Sequence, residues 1–374
     1  MATAAKLPPT AGFARPTLYG LLLGTAICIA TAPASALTIN TTYSDSVNTS
    51  ANAAVIKSAF QGAVNAYQNM FVNPVTVNIQ VGWGEILGSP VSSLGVSGMY
   101  GSGSYSYSQL TTMLRATATS TFDQKAYASF PGSSPTGSLG YTLTPALAKA
   151  VGAAPATGTG MDGYIGFGSG YGFDFNRADG ISAGTYDFMG VALHEISHVL
   201  GRVSGLGSST PSNGLPIDLF RYTAPGVTSF DYNASTYFSV DGGATNQANF
   251  TNGSGQERDS WALTCGDSYS YAACTGVVND LSTADKIVMD VMGWNSVAGT
   301  TTPVYGGTTT TSSGGSTGGT GGKGKPTKRA VLGEFDIGIA DTQQSVTGVP
   351  EPASMALFGV ALAGLGLARA RRAA

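Results

Sequence analysis

The chain contains two histidines, and they stand four residues apart, as His194 and His198 in "VALHEISHVLG", with Glu195 beside the first. On a helix, residues four apart share a face, so both imidazoles can meet one ion. Glu195 projects to the side, where its carboxylate can reach a water on that ion without ligating it. Zinc in a catalytic site usually takes three protein ligands and keeps a fourth position open. No third histidine exists to supply the last ligand.

Serine hydroxyls bind zinc poorly at neutral pH, which leaves an acid as the expected third ligand, with a tyrosine or water alone as outside candidates. Asp218 stands out by its setting, "LPIDLFRY", where Leu215, Ile217, Leu219 and Phe220 suggest burial. A buried carboxylate is costly unless a cation or donor meets it. Asp218 is therefore the tentative third ligand, set against a salt bridge to Arg221 or a capping role. Glu257 and Asp259 in "GQERDSW" come next, and Asp241 in "VDGG" reads first as a turn residue. Asp280, Asp285 and Asp290 belong to a last helix or lead into it, and are expected to face solvent or cap it. Tyr222, Arg202 and Arg221 are candidate donors to an oxyanion. In "DFNRADG" (174–180), acids and an amide stand at loop spacing, a weak signal for Ca2+ that misses the EF-hand pattern and reads better as a solvated turn.

Periodicity supplies the elements that must position these groups. Ile56, Phe60, Ala63, Val64, Tyr67 and Phe71 form one stripe of a helix over 52–71. Val75, Val77, Ile79 and Val81 alternate with polar residues, predicting a strand over 74–83. Further helices are expected over 107–119, 187–200 (Asp187 as N-cap, Gly201 as stop) and 282–294 (Ser282 as cap), with strands over 161–168 and 236–243. These elements make one α+β domain over 37–298, helices packed on a sheet.

Charged residues make up only 10% of the chain, against about a quarter in ordinary soluble domains. Residues 37–298 carry nine Lys/Arg against 17 Asp/Glu, a net of −8, which argues against nucleic acid as a partner. Lys6 and Arg15, the apolar run 18–32 and "ASA" at 34–36 read as a signal peptide over 1–36. In the oxidising compartment this implies, Cys265 and Cys274 are expected to form a disulfide, with free thiols or zinc ligation as alternatives. Residues 299–348 are rich in Gly and Thr and read as a flexible linker.

"HEISH" on a helix is the zinc metalloprotease signature, and "HEISHVLGRVSG" resembles the zincin fold family. Gly201, three residues after His198, resembles the metzincin branch, whose pattern would put the next ligand at position 204; here that residue is Ser204. The segment "LSTADKIVMDVMGW" resembles the closing helix of matrixin-like domains. The resemblance implies a zincin-like mixed sheet packed with helices, one of which bears the motif. It further implies one catalytic Zn2+ and hydrolysis of a protein or peptide substrate, with Glu195 as general base. Two rivals stand beside this reading: an envelope or matrix protein with a structural metal site, and a zinc hydrolase of a non-peptide bond.

The last 26 residues, 349–374, hold "VPEP", an apolar stretch from Ala353 to Ala368 and an arginine cluster at 369–372. This order resembles the PEP-CTERM sorting signal of Gram-negative bacteria. It implies transient association with the inner membrane, recognition by an exosortase-type peptidase, and a final place in the envelope, at the surface or outside the cell. A plain C-terminal membrane anchor is the alternative.

Overall fold

In the computed structural model, Met1, residues 36–206 and 213–297, and the backbone of 329–331 are described. The chain divides into Met1–Ala34 and a second unit, Ser35–Ala374, which holds all the described elements. Strands β1 (Thr38–Tyr43) and β2 (Thr76–Trp83) lie side by side in parallel, Ile39 opposite Val77. Two further strands, β3 (Gly95–Gly98) and β4 (Gly163–Phe167), complete a sheet of order β1-β2-β4-β3. β4 runs parallel to β2, and β3 runs antiparallel to β4 at the edge. The alternation read in the sequence has its expected cause, because Val77, Ile79 and Val81 are fully buried.

Besides a single turn at Asp45–Asn48, the α-helices among the described residues are α1 (Ala53–Met70), α2 (Tyr107–Ala116), α3 (Thr121–Ala128), α4 (Pro145–Ala150), α5 (Phe188–Val199) and α6 (Thr283–Val291). α1 buries Ile56, Phe60, Ala63, Val64 and Tyr67, and the Phe60 ring meets Phe167 of β4 edge-on at 6.1 Å. α5 is buried on every side along its 12 residues, as a helix that is apolar all round requires. It packs on α1 and on β3, and the Tyr67 hydroxyl donates to the Leu193 carbonyl at 2.8 Å. α6 begins with a capping box in which Ser282 and Asp285 satisfy each other's backbone N–H.

After α5 the chain builds a small antiparallel sheet from β5 (Arg221–Ala224), β6 (Val227–Thr228), β7 (Tyr237–Phe238) and β8 (Ala248–Asn249), in the order β6-β5-β7-β8. The strand expected over 236–243 is only two residues long. Ser239 donates to Asp241, and Gly242 and Gly243 take positive φ values of 71° and 85°, so the chain turns instead of extending. Cys265 and Cys274 are bonded, their Cα atoms 5.6 Å apart. Cys274 closes β9 (Ala272–Cys274), which pairs antiparallel with β10 (Arg329–Val331), Ala273 opposite Ala330. Three residues of the stretch expected to be linker are therefore strand. No described helix is long and apolar enough to cross a membrane. The leader at 2–35 and the apolar stretch 353–368 lie outside the described residues.

Candidate metal centre

The site is built at the end of α5. Asp187 holds the N-cap position but does not cap with its side chain. Its carboxylate instead takes both prongs of Arg177, at 3.0 and 2.6 Å, and the Asn279 N–H at 2.9 Å. At the other end Gly201 adopts φ 112°, and Arg202 N–H and Gly201 N–H return to the carbonyls of Ser197 and His198, both at 2.9 Å. This is a Schellman ending, and it explains the glycine. A Cβ at position 201 would also stand 2.7 Å from Leu147. The turn brings the Arg202 carbonyl within 2.7 Å of His198 Nδ1.

His194 Nδ1 meets a second carbonyl, that of Ser268, at 2.7 Å. A carbonyl only accepts, so each ring carries its proton on Nδ1 and offers a bare Nε2 on the other side. The two Nε2 atoms face each other at 2.8 Å, and Glu257 Oε2 lies 3.1 Å from the first and 3.5 Å from the second. Two lone pairs at that distance repel unless a proton or a metal cation stands between them. Tetrahedral ligands bound to zinc at about 2.0–2.1 Å stand about 3.4 Å apart. The Glu257 distances fit that figure, and the rings need to open by about half an ångström. Among the described residues His194, His198 and Glu257 are the group that could hold a metal ion.

The electrostatics favour positive charge at the same point. Burial acts to lower the His198 pKa, but the Glu257 and Asp259 carboxylates raise it well above the usual imidazole value. Burial pushes Glu257 up, yet in the absence of a metal a proton taken up on Nε2, which gives the rings charge and a donor toward Oε2, holds it well below the usual carboxylate range. Asp259 Oδ2 lies 3.4 Å from His198 Nδ1, and the Tyr269 ring packs on His194 with centroids 5.1 Å apart.

Arginines fix the loop that carries Glu257. Arg258 donates to the carbonyls of Tyr232, Gly253 and Gln256 at 2.8–2.9 Å and lies over the Tyr232 ring. Arg202 is fully buried, paired to Asp285 at 2.6 Å and bonded to the Asp259 carbonyl at 3.3 Å. Trp261 Nε1 donates to the same Asp285 oxygen at 2.6 Å. Asp285 thus caps α6 as expected, but it is a buried anchor and not a solvent-facing residue. Arg202 is committed to this network, and Arg221 is buried against Phe250 with a hydrogen bond to the Arg258 carbonyl. Arg221 and Arg202 therefore belong to the packing around the site, and Tyr222 is buried with its ring against Tyr237.

Asp218 is not brought to the histidines. It is fully buried, as its neighbours suggested, but its carboxylate accepts from Ser204 Oγ at 2.6 Å, Gly205 N–H at 2.8 Å and Leu215 N–H at 3.0 Å. It staples the chain just past the α5 turn to the segment at 215–220, and its donors come from the backbone and Ser204. Its pKa is raised by burial, against the pull of Arg221. The carboxylate that meets both histidines is that of Glu257, 63 residues after His194. Asp241 serves a turn, accepting from Ser239 and Thr245. In the loop considered for calcium, Asp174 accepts from Asn176 N–H and from Ser182 N–H and Oγ, as a turn residue does.

Glu195 lies beside the centre, 2% exposed. Burial raises its pKa, and the charges of His194 and His198 offset only part of that rise. Gly95 of β3 makes room for it, since a Cβ there would stand 2.5 Å from Glu195 Oε1.

Comparison with known proteins bears on the other end of the chain. The family model of the PEP-CTERM protein-sorting motif matches residues 348–372. No curated protein and no solved structure matches. The motif marks an exported protein of the Gram-negative envelope or cell surface, recognised at its C-terminus by an exosortase. The matched residues lie outside those described.

Proposed function

We propose that this exported protein is a zinc-dependent endopeptidase. The observation that carries the reading is the convergence of His194 Nε2, His198 Nε2 and Glu257 Oε2 on one point, with the buried acid Glu195 beside it. Three protein ligands suit a catalytic zinc, whereas a structural zinc closes with four. The carbonyls of Ser268 and Arg202 hold both rings in one tautomer and orientation, the role that outer partners play around metal ligands. Bound zinc would supply Lewis acidity to a carbonyl oxygen and make water acidic near neutral pH. Glu195 accepts the proton of the attacking water and returns it to the leaving amine; a carboxyl whose pKa is raised by burial suits both halves of that role. β3 borders the site through Gly95 and ends the sheet, so an extended peptide could add to it as a further strand. That edge favours a peptide over a non-peptide substrate.

The test is zinc content and casein hydrolysis by the purified protein and its Glu195→Gln variant. The variant should keep one zinc per chain and lose turnover by about 100-fold or more. A wild-type protein that holds zinc and hydrolyses no peptide bond overturns the reading and moves cell-wall amides forward as the substrate.

A further inference from the structure

The edge strand β3 reads Gly-Val-Ser-Gly, and alternate residues of a strand share a face. Gly95 and Ser97 are both buried, while Val96 and Gly98 are half-exposed, so positions 95 and 97 form the inner face. At position 95 this face touches Glu195 closely. A Cβ there would stand 2.5 Å from Oε1 and 2.8 Å from Cγ. Two residues further along, the Ser97 hydroxyl is buried and makes no hydrogen bond among the described residues. It projects from the face of β3 that packs against α5, the helix that carries Glu195. A buried hydroxyl with no partner is unusual, and one lying beside a general base has a use.

We propose that Ser97 is a positioning residue for Glu195: its hydroxyl donates to the ionised carboxylate and holds it toward the metal centre, and Gly95 keeps clear the space the carboxylate occupies. The inference rests on the endopeptidase reading. Glu195 sits on α5, which packs against β3, so β3 is an element placed to restrain it from outside its own helix. Restraint of a carboxylate already bound in the site acts on turnover and leaves substrate affinity alone.

The experiment uses the zinc-loaded, purified full chain as wild type, Ser97→Ala and Ser97→Thr, with Ser97→Ala also placed in the Glu195→Gln background. Ser97→Ala should lower kcat about tenfold, the effect of one hydrogen bond to a charged group. KM and zinc stoichiometry should be unchanged. Ser97→Thr, which keeps the hydroxyl, should recover most of the rate. In the Glu195→Gln background the same change should alter neither residual turnover nor zinc content. A crystal structure of the zinc form should place Ser97 Oγ within about 3.0 Å of a Glu195 oxygen. A Ser97→Ala rate within twofold of wild type overturns the proposal, as does an equal loss in the Glu195→Gln background or an Oγ more than about 3.5 Å from the carboxylate. A wild type that binds zinc and cleaves no peptide ends the endopeptidase reading instead, and the crystallographic distance still decides the Ser97 contact.

Discussion

Asp218 and Glu257 occupy similar settings with different outcomes. Each follows α5, Asp218 in a short 3-10 helix (Pro216–Phe220) and Glu257 in irregular chain; each has an arginine within three residues, and each is withdrawn from solvent, Asp218 fully and Glu257 to 12% exposure. The partners separate them. Three local donors, Ser204 Oγ and the N–H groups of Gly205 and Leu215, consume the Asp218 carboxylate. The Glu257 oxygen that faces the histidines is met by two ring nitrogens and by a single long hydrogen bond, from Ser260 Oγ at 3.3 Å. Burial raises the cost of a charge; which groups answer that cost decides whether the acid is a staple or a ligand. Accounting for donors distinguishes the two, whereas apolar neighbours in the sequence do not.

The largest effect expected from this contrast is on metal binding. Glu257→Ala should weaken zinc binding by more than about 100-fold, beyond the range of outer-partner losses, measured by competition against a chelator. Asp218→Ala should leave zinc stoichiometry intact and instead cost about 3 kcal/mol of stability, because three hydrogen bonds vanish and buried Arg221 loses its countercharge. Urea unfolding in excess EDTA reads that loss without linkage to metal. Opposite results, with zinc lost in Asp218→Ala and kept in Glu257→Ala, would exchange the two roles.

Arg258 sharpens the comparison further. It donates to three carbonyls around the Glu257 loop and contributes no atom to the centre. Arg258→Ala should therefore lower zinc affinity about tenfold, as loss of an outer support does. Stoichiometry at saturating zinc should be unchanged. An affinity equal to wild type would mean that the loop is held by Trp261 and Asp259 alone.

Legibility in the sequence follows the distance over which each feature is decided. α5 and its glycine stop were readable because periodicity and end signals sit within a dozen residues; so was the Ser282 cap of α6. β3 was not, since Gly-Val-Ser-Gly has no apolar alternation and becomes a strand only by pairing with β4. The motif residues His194, Glu195 and His198 were evident from spacing. Glu257 was among the candidates but ranked below Asp218, because its place depends on how the β5–β8 sheet returns the chain to α5. A signal was present: Glu257, Arg258 and Asp259 are three consecutive charges in a chain of which only 10% is charged. Such a cluster, bounded by Trp261, is costly to bury unless its members answer one another or an ion.

Asp267 is a third buried acid, and the same accounting predicts an effect absent near pH 4 and visible as a slope in stability against pH. Its Oδ1 accepts from the Tyr269 N–H at 2.6 Å, and the loop it anchors presents the Ser268 carbonyl to His194. Unlike Asp218, it lies close to another acid, Asp285. Burial, and then the Asp285 charge, push its pKa from 3.8 up to about 7, with Arg202 pulling the other way. The native state therefore keeps a proton that the unfolded chain releases. Its contribution is fully present below pH 3.8, declines as pH rises toward about 7 and is level above that. Asp267→Asn preserves an acceptor for the Tyr269 N–H but cannot ionise. In EDTA, Tm of the variant should match wild type near pH 4 and exceed it by a margin that widens toward pH 7. Parallel Tm profiles would mean that Asp267 is ionised in the folded protein, answered by donors as Asp218 is.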